Sequence, residues 1–98
     1  MTLRHVVCFR FHPETSPEQV DALAQGLREL PGTIPEIAAY AVGADLGLAP
    51  TTWDFAVSAD FAGIADFETY RDHPEHQARI RSLVVPITAE RVAVQFTI

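Results

Sequence analysis

Three ionisable side chains stand at positions where the pattern of apolar residues predicts burial. His5 lies on the apolar face of an alternating stretch near the start of the chain, and Tyr70 and His76 lie on apolar faces at helical spacing. If that strand face packs on those helices, the three side chains converge in one compartment. A histidine there titrates near neutral pH and a tyrosine hydroxyl bonds a substrate oxygen, so the set predicts an acid/base pair. The alternative is that each is a core residue whose polar atom meets a backbone group.

The stretch His73-Pro74-Glu75-His76 also raises the possibility of a metal site. Two histidines three residues apart, together with His5, could supply three nitrogen ligands. However, His73 directly precedes a proline, which is typical of a helix start, and no carboxylate or cysteine stands at a persuasive ligand spacing. We therefore predict no metal and no cofactor.

Four predicted strands and two helical regions must position these side chains. The strands cover residues 3–11, 37–42, 53–61 and 91–98. The loop at 43–52 is long enough to act as a flap. On the third strand, the aromatic face that carries Trp53 and Phe55 is expected to be buried.

The first predicted helix begins at the N-cap Ser16, with Pro17 at its first position and Gln19 bonding back to the cap, and ends at Pro31. The second carries Tyr70 on its apolar side and is interrupted at residues 72–74, because the residue before a proline is disfavoured in a helix. The chain then restarts with His76 on the apolar face.

The order strand, helix, strand, strand, helix, strand predicts an α+β, ferredoxin-like fold: an antiparallel four-stranded sheet with helices on one face and the other face bare. The chain has 98 residues, of which 48% are hydrophobic, and we expect one domain over 1–98. So small a domain cannot bury all of that apolar surface alone. We therefore expect a homodimer, two sheets face to face in a dimeric α+β barrel.

Charge and cysteine content narrow the range of partners and compartments. A net charge of -6 argues against binding to nucleic acid or to an anionic membrane surface. Cys8 is the single cysteine, which suits a reducing compartment, and the first residues lack the apolar block of a signal peptide. We expect a cytoplasmic protein.

Several stretches together resemble one known family, the stress-responsive A/B barrel (Dabb) domain, whose members are dimeric α+β barrels. The resemblance covers essentially the whole chain. It is carried by Arg4-His5-Val6-Val7, Ile34-Pro35, Trp53-Asp54-Phe55 and, most specifically, Tyr70-x-x-His73-Pro74-x-His76.

The resemblance implies a reaction and residue roles. A plant polyketide cyclase of this family uses a tyrosine and a histidine to close a linear polyketide thioester by aldol condensation, without metal or redox cofactor. Its catalytic pair matches Tyr70 and His76, and a pocket histidine matches His5. A second pocket histidine falls on Phe55, which would give the cavity an aromatic wall. The predicted substrate-binding set is His5, Phe55, Trp53 and His73.

Three functions are therefore open. The first is a cofactor-independent enzyme acting on a small hydrophobic carbonyl compound, with His76 as base, Tyr70 bonding the enolate and His5 positioning the substrate. The second is a non-catalytic stress-responsive or ligand-binding dimer with the same pocket. The third is a cofactorless monooxygenase of a related barrel group. A cavity open beneath the 43–52 loop favours chemistry, whereas one filled by Trp53, Phe55 and Phe67 excludes a substrate.

Overall fold

The computed structural model describes all 98 residues and shows one antiparallel sheet with helices on one face. The strands are β1 (Leu3–Phe11), β2 (Ala39–Ala44), β3 (Phe55–Phe61) and β4 (Thr88–Thr97). The helices are α1 (Pro17–Arg28), α2 (Ile64–Asp72) and α3 (Pro74–Arg79), with a 3-10 turn at Leu30–Gly32 and a π turn at Ile80–Val84. The sheet order β2-β3-β1-β4 confirms the predicted ferredoxin-like α+β fold.

Helix α1 begins as its sequence predicts. Ser16 is extended and its side chain accepts from the backbone N–H of Gln19, while the Gln19 side chain accepts from the Ser16 N–H. Pro17 fills the first helical position, where no hydrogen-bond donor is needed. The helix ends at Arg28, before Pro31, and a 3-10 turn carries the chain onward.

The core lies between the sheet and the helices. Along β1 and β3 alternate residues point to the helices, and the buried ones among them include Val7, Phe9, Val57 and Phe61. Helix α1 covers this face with a stripe that includes Leu23 and Leu27.

Three strand starts differ from the predicted ones. Strand β4 begins at Thr88 rather than at residue 91, because Thr88 still pairs with Phe11. Strand β2 begins at Ala39, because Ile37 is held in a turn by a backbone bond to Ile34 and both side chains are buried. Strand β3 begins at Phe55, so Trp53 precedes the strand, and the alternation of side chains between the two sheet faces does not determine where Trp53 points.

The other face of the sheet carries no helix. Strand β4 presents Val92, Val94 and Phe96 there, each 45–58% exposed. Arg4 and Asp60 form a two-pronged ion pair at one end of this face, with distances of 2.8 and 2.9 Å. The predicted bare face is therefore present and largely apolar. None of the helices has the length and apolar character required to cross a bilayer.

Candidate active site

A cavity of about 420 Å³ lies between the helix-facing side of the sheet and the helices. Ten of its sixteen lining residues are hydrophobic. Its principal polar groups come from all parts of the fold: His5, Tyr40, Tyr70, His76, Arg91 and Gln95. The three ionisable residues singled out from the sequence, His5, Tyr70 and His76, thus line one compartment.

The break between α2 and α3 creates the geometry of this site. His73 is extended, as expected before a proline, and Pro74 opens α3. The Nδ1 atom of His73 accepts from the backbone N–H of Glu75 at 3.1 Å and caps the new helix. In a continuous helix that N–H would instead bond the carbonyl of Arg71, four residues earlier. The break therefore leaves the Arg71 carbonyl without its helical donor.

That freed carbonyl fixes the orientation of His76. Nδ1 of His76 and the side-chain amide of Gln77 both donate to the carbonyl of Arg71, the former at 3.0 Å. A carbonyl oxygen only accepts, so the hydrogen of the neutral imidazole is on Nδ1. Nε2 then carries the lone pair, makes no hydrogen bond within the chain and is not sealed from solvent. His76, which lines the cavity, is thus a neutral base whose Nε2 has no partner within the chain and is reached by solvent.

Tyr70 packs directly against this base. The two rings have centroids 4.1 Å apart and planes inclined at 36°. Burial lowers the pKa of His76 below its usual 6.5, and the hydrogen bond to the Arg71 carbonyl opposes this only in part. Burial raises the pKa of Tyr70 above its usual 10. At neutral pH the site therefore holds an uncharged base beside an uncharged phenol.

A second tyrosine, Tyr40 of β2, lies beside Tyr70 at this site. The hydroxyls of Tyr40 and Tyr70 are 3.0 Å apart. Burial, with the neighbouring Tyr70, also raises the pKa of Tyr40. Two hydroxyls that share one hydrogen bond leave the hydrogen of the accepting hydroxyl free for a further acceptor. The pair therefore has one O–H to offer a ligand oxygen.

His5 stands across the cavity and has the opposite tautomer. The side-chain amide of Gln95 donates to Nδ1 of His5 at 2.8 Å, so the ring hydrogen is on Nε2. Burial, together with the charges of His76 and Arg91, lowers the pKa of His5 to about 4. Its ring lies 5.0 Å from that of Phe67 and 6.4 Å from that of Tyr70. His5 is thus a neutral N–H donor on the same cavity.

The structure places the other three predicted substrate-binding residues outside this cavity. Phe55 is buried in an aromatic cluster with Phe9 and Phe11. Its partner across the sheet is Phe9, which lies four residues along β1 from His5. Trp53 lies under the guanidinium of Arg10, 4.3 Å from its ring centre, beside the bare sheet face. His73 caps α3 and does not line the cavity. Trp53 departs from expectation because β3 begins two residues later. Phe55 departs from it because its ring packs against Phe9 and Phe11, although its cross-strand partner Phe9 lines the cavity.

The 43–52 loop does not cover the cavity. It borders a separate depression of about 590 Å³ on the bare sheet face, with Cys8 and Trp53 on its wall. Of the three aromatic residues that could have filled the cavity, only Phe67 lines it, and the cavity is open. No three His, Cys, Asp or Glu side chains lie close enough together to hold a metal ion.

Five polar residues of the cavity have no counterpart among the predicted site residues: Tyr40, Arg71, Gln77, Arg91 and Gln95. Tyr40 lies in an alanine-rich segment with weak periodicity, and Arg91 and Gln95 lie on a strand that alternates with valine and phenylalanine. The sequence of β4 does contain a signal for two of them. Arg91 and Gln95 alternate with Val92, Val94 and Phe96, so they lie on the opposite face of the strand from these large apolar residues. Their register opposite His5 and Phe9 places them on the helix side.

Comparison with known proteins assigns the family. The sequence pattern of the stress-responsive A/B barrel domain (Dabb) matches residues 3–98. No curated protein sequence matches this chain. Among solved structures, a dimeric ferredoxin-like protein of unknown function from Thermobifida fusca is 46% identical, with a TM-score of 0.92 over 100% of this chain and 92% of the other.

Two more distant structures are named as enzymes and share the fold. A hydroxynitrile lyase from Passiflora edulis is 23% identical, with a TM-score of 0.86 over 99% of this chain and 93% of the other. SnoaB, a cofactor-independent oxygenase from Streptomyces nogalater, is 11% identical, with a TM-score of 0.76 over 99% and 92%. The match over nearly the whole chain shows that this protein belongs to the stress-responsive A/B barrel (Dabb) domain family.

Proposed function

We propose that this chain forms a homodimeric, cofactor-independent acid/base enzyme that removes a proton next to the carbonyl of a small hydrophobic compound and joins two carbons in an aldol-type step. The observation that carries the proposal is the fixed tautomer of His76. Its Nδ1 is held by the Arg71 carbonyl, so that Nε2 is a free, neutral base in the cavity. Because solvent reaches Nε2 and no group of the chain bonds it, this nitrogen can take a proton from a bound molecule.

In the proposed reaction, Nε2 of His76 takes a proton from the carbon beside the substrate carbonyl. The electron pair of the broken C–H bond moves onto the carbonyl oxygen and forms an enolate. The free O–H of the Tyr40–Tyr70 pair donates to this oxygen, and the Nε2–H of His5 is a second donor on the same cavity. The enolate carbon then bonds to a second carbonyl carbon, and the proton on His76 passes to the new alkoxide.

The cavity supports a hydrophobic substrate. Its volume of about 420 Å³ falls within the usual range for small-molecule sites, and most of its lining is apolar. Such a lining strengthens the hydrogen bonds made to a developing charge, because little water competes for them. Two structural neighbours named as a lyase and an oxygenase support the view that this fold can hold a catalytic site.

The bare sheet face supports the homodimer. Val92, Val94 and Phe96 are exposed on it side by side, and two such faces packed together would remove them from water. The Thermobifida fusca protein, which is 46% identical, is described as dimeric. The active-site cavity lies on the opposite side of the sheet and would stay accessible in such a dimer.

The test is proton exchange at carbon. The protein is incubated in D₂O with 2-heptanone or 4-phenyl-2-butanone, and NMR follows deuterium entry beside the carbonyl. We expect the wild type to accelerate exchange and His76→Ala to lose at least about 10²-fold, the usual contribution of a general base. His12→Ala is the matched control, because His12 lies outside the cavity, and it should exchange as the wild type does.

Two outcomes would overturn the proposal in favour of its alternatives. If the ketones bind in the cavity without faster exchange, the protein is a non-catalytic ligand-binding dimer. If the protein consumes oxygen with these compounds while exchange stays at the buffer rate, it is a cofactorless oxygenase.

A further inference from the structure

Arg91 is a cation on the cavity wall without an acidic partner. The lining contains two arginines and no aspartate or glutamate. The other arginine, Arg71, is paired with Asp72 at 2.9 Å. Arg91 makes no ion pair and no side-chain hydrogen bond, and its neighbour Glu90 bonds to Arg10 instead. The cavity therefore carries one uncompensated positive charge.

This charge lies at one end of the cavity. Arg91 is in register with Phe9, and Gln95 with His5, both pairs facing the helices. Four residues along a strand span about 13 Å at roughly 3.3 Å per residue, so the backbones of Arg91 and Gln95 lie that far apart, while the charge of the long Arg91 side chain still acts on His5. Ala93 stands between them and leaves room above β4. A ligand lying along β4 could thus reach an N–H donor at one end and a cation at the other.

We propose that Arg91 binds a carboxylate of the substrate, so that the substrate class is a hydrophobic oxo acid rather than a neutral ketone. A guanidinium matches a carboxylate with two parallel hydrogen bonds. Arg91 lines the cavity and is itself exposed to solvent, so its guanidinium offers one positive charge to a ligand group at the solvent-facing part of the cavity. One charge matches a carboxylate, whereas a phosphate dianion would keep one negative charge unmatched. The role of the reacting carbonyl in this assignment rests on the proposed function; the binding of the carboxylate does not.

The net negative charge of the chain means that a preference for carboxylates would have to come from the cavity and not from the general surface. The chain carries thirteen acidic and seven basic residues, and its net charge of -6 repels small anions from most of its surface. A carboxylate attracted to this protein would therefore require a local cation that is free to meet it. Among the cavity residues that cation is Arg91.

The test compares two probes of nearly equal shape, 3-phenylpropanoate and 3-phenylpropanamide, by NMR titration of the intact protein. We expect the wild type to bind the carboxylate about tenfold more tightly than the amide, and added NaCl to reduce the difference. Arg91→Gln should abolish the preference without changing the affinity for the amide, and Arg91→Lys should keep part of it. The control is Arg81→Gln, because Arg81 is exposed, unpaired and outside the cavity.

Equal affinities of the wild type for the two probes, no binding of either, or an undiminished preference in Arg91→Gln would overturn the inference. The exchange assay with 4-phenyl-2-butanone keeps the two proposals separate, since that neutral ketone has no carboxylate. A carboxylate preference with no proton exchange would uphold the role of Arg91 and refute the catalytic function. Proton exchange without a carboxylate preference would uphold the catalytic function and refute the role of Arg91.

Discussion

Removing the hydroxyls of Tyr40 and Tyr70 one at a time should expose the energetic link between them. The two oxygens are 3.0 Å apart, and Tyr70 is only 3% exposed. Tyr40→Phe leaves the buried Tyr70 hydroxyl without a partner and should cost about 2 kcal/mol in unfolding free energy. Tyr70→Phe leaves the more accessible Tyr40 hydroxyl and should cost about 1 kcal/mol. The double variant removes both groups and should cost about 2 kcal/mol rather than 3, which is a coupling of about 1 kcal/mol.

Urea unfolding of the four proteins measures this coupling. Protein concentration must be the same throughout, because a dimer is stabilised by mass action. For a domain of this length 1 kcal/mol corresponds to a shift in Tm of about 4–8 °C, so thermal scans give a second reading. Single-variant losses that add to within about 0.5 kcal/mol in the double variant would refute the hydrogen bond.

Three further outcomes follow from the packing and the charges. Gly26→Ala should leave the free energy of unfolding within about 1 kcal/mol of the wild type in urea, because the new Cβ displaces the end of the Leu83 side chain while helix α1 gains about 1 kcal/mol from alanine in place of glycine. The free energy of unfolding should fall as the pH is lowered from 6.5 to 4, because in that range His5 is protonated in the unfolded chain but not in the folded one. The lowering of the His5 pKa from 6.5 to about 4 corresponds to about 3 kcal/mol. Solvent at the cavity mouth reduces this to about 1–2 kcal/mol. Unfolding at pH 7 and 4.5 should show this dependence in the wild type and a weaker one in His5→Gln. Val94→Asp should convert the proposed dimer to monomer in analytical ultracentrifugation, because it places a charge on the bare face.

The strands and helices could be predicted because their signals are local. The alternation of β1, the capping residues around Ser16 and the proline at 74 each act over a few neighbouring residues. The predicted start of β3 was two residues early, because Trp53 continues the alternation in sequence but packs under Arg10 instead.

The candidate site was only partly predictable because its polar contacts are long-range. The apolar spacing brought His5, Tyr70 and His76 to one side of the sheet, but it carries no information on Tyr40, which reaches Tyr70 across thirty positions of sequence. The tautomer of His76 depends on the carbonyl of Arg71, a backbone group that leaves no mark in the sequence. Arg91 could have been found from the register of β4 once the strand pairing was known.

The central claim is that Nε2 of His76 is the base that takes a proton from carbon. The most direct test is chemical rescue: His76→Ala is assayed for deuterium exchange into 4-phenyl-2-butanone with increasing imidazole. We predict that exchange, lost in the variant, returns in proportion to the concentration of neutral imidazole, with no such increase in His12→Ala beyond the buffer reaction. A His76→Ala protein that exchanges as fast as the wild type without imidazole would contradict the account.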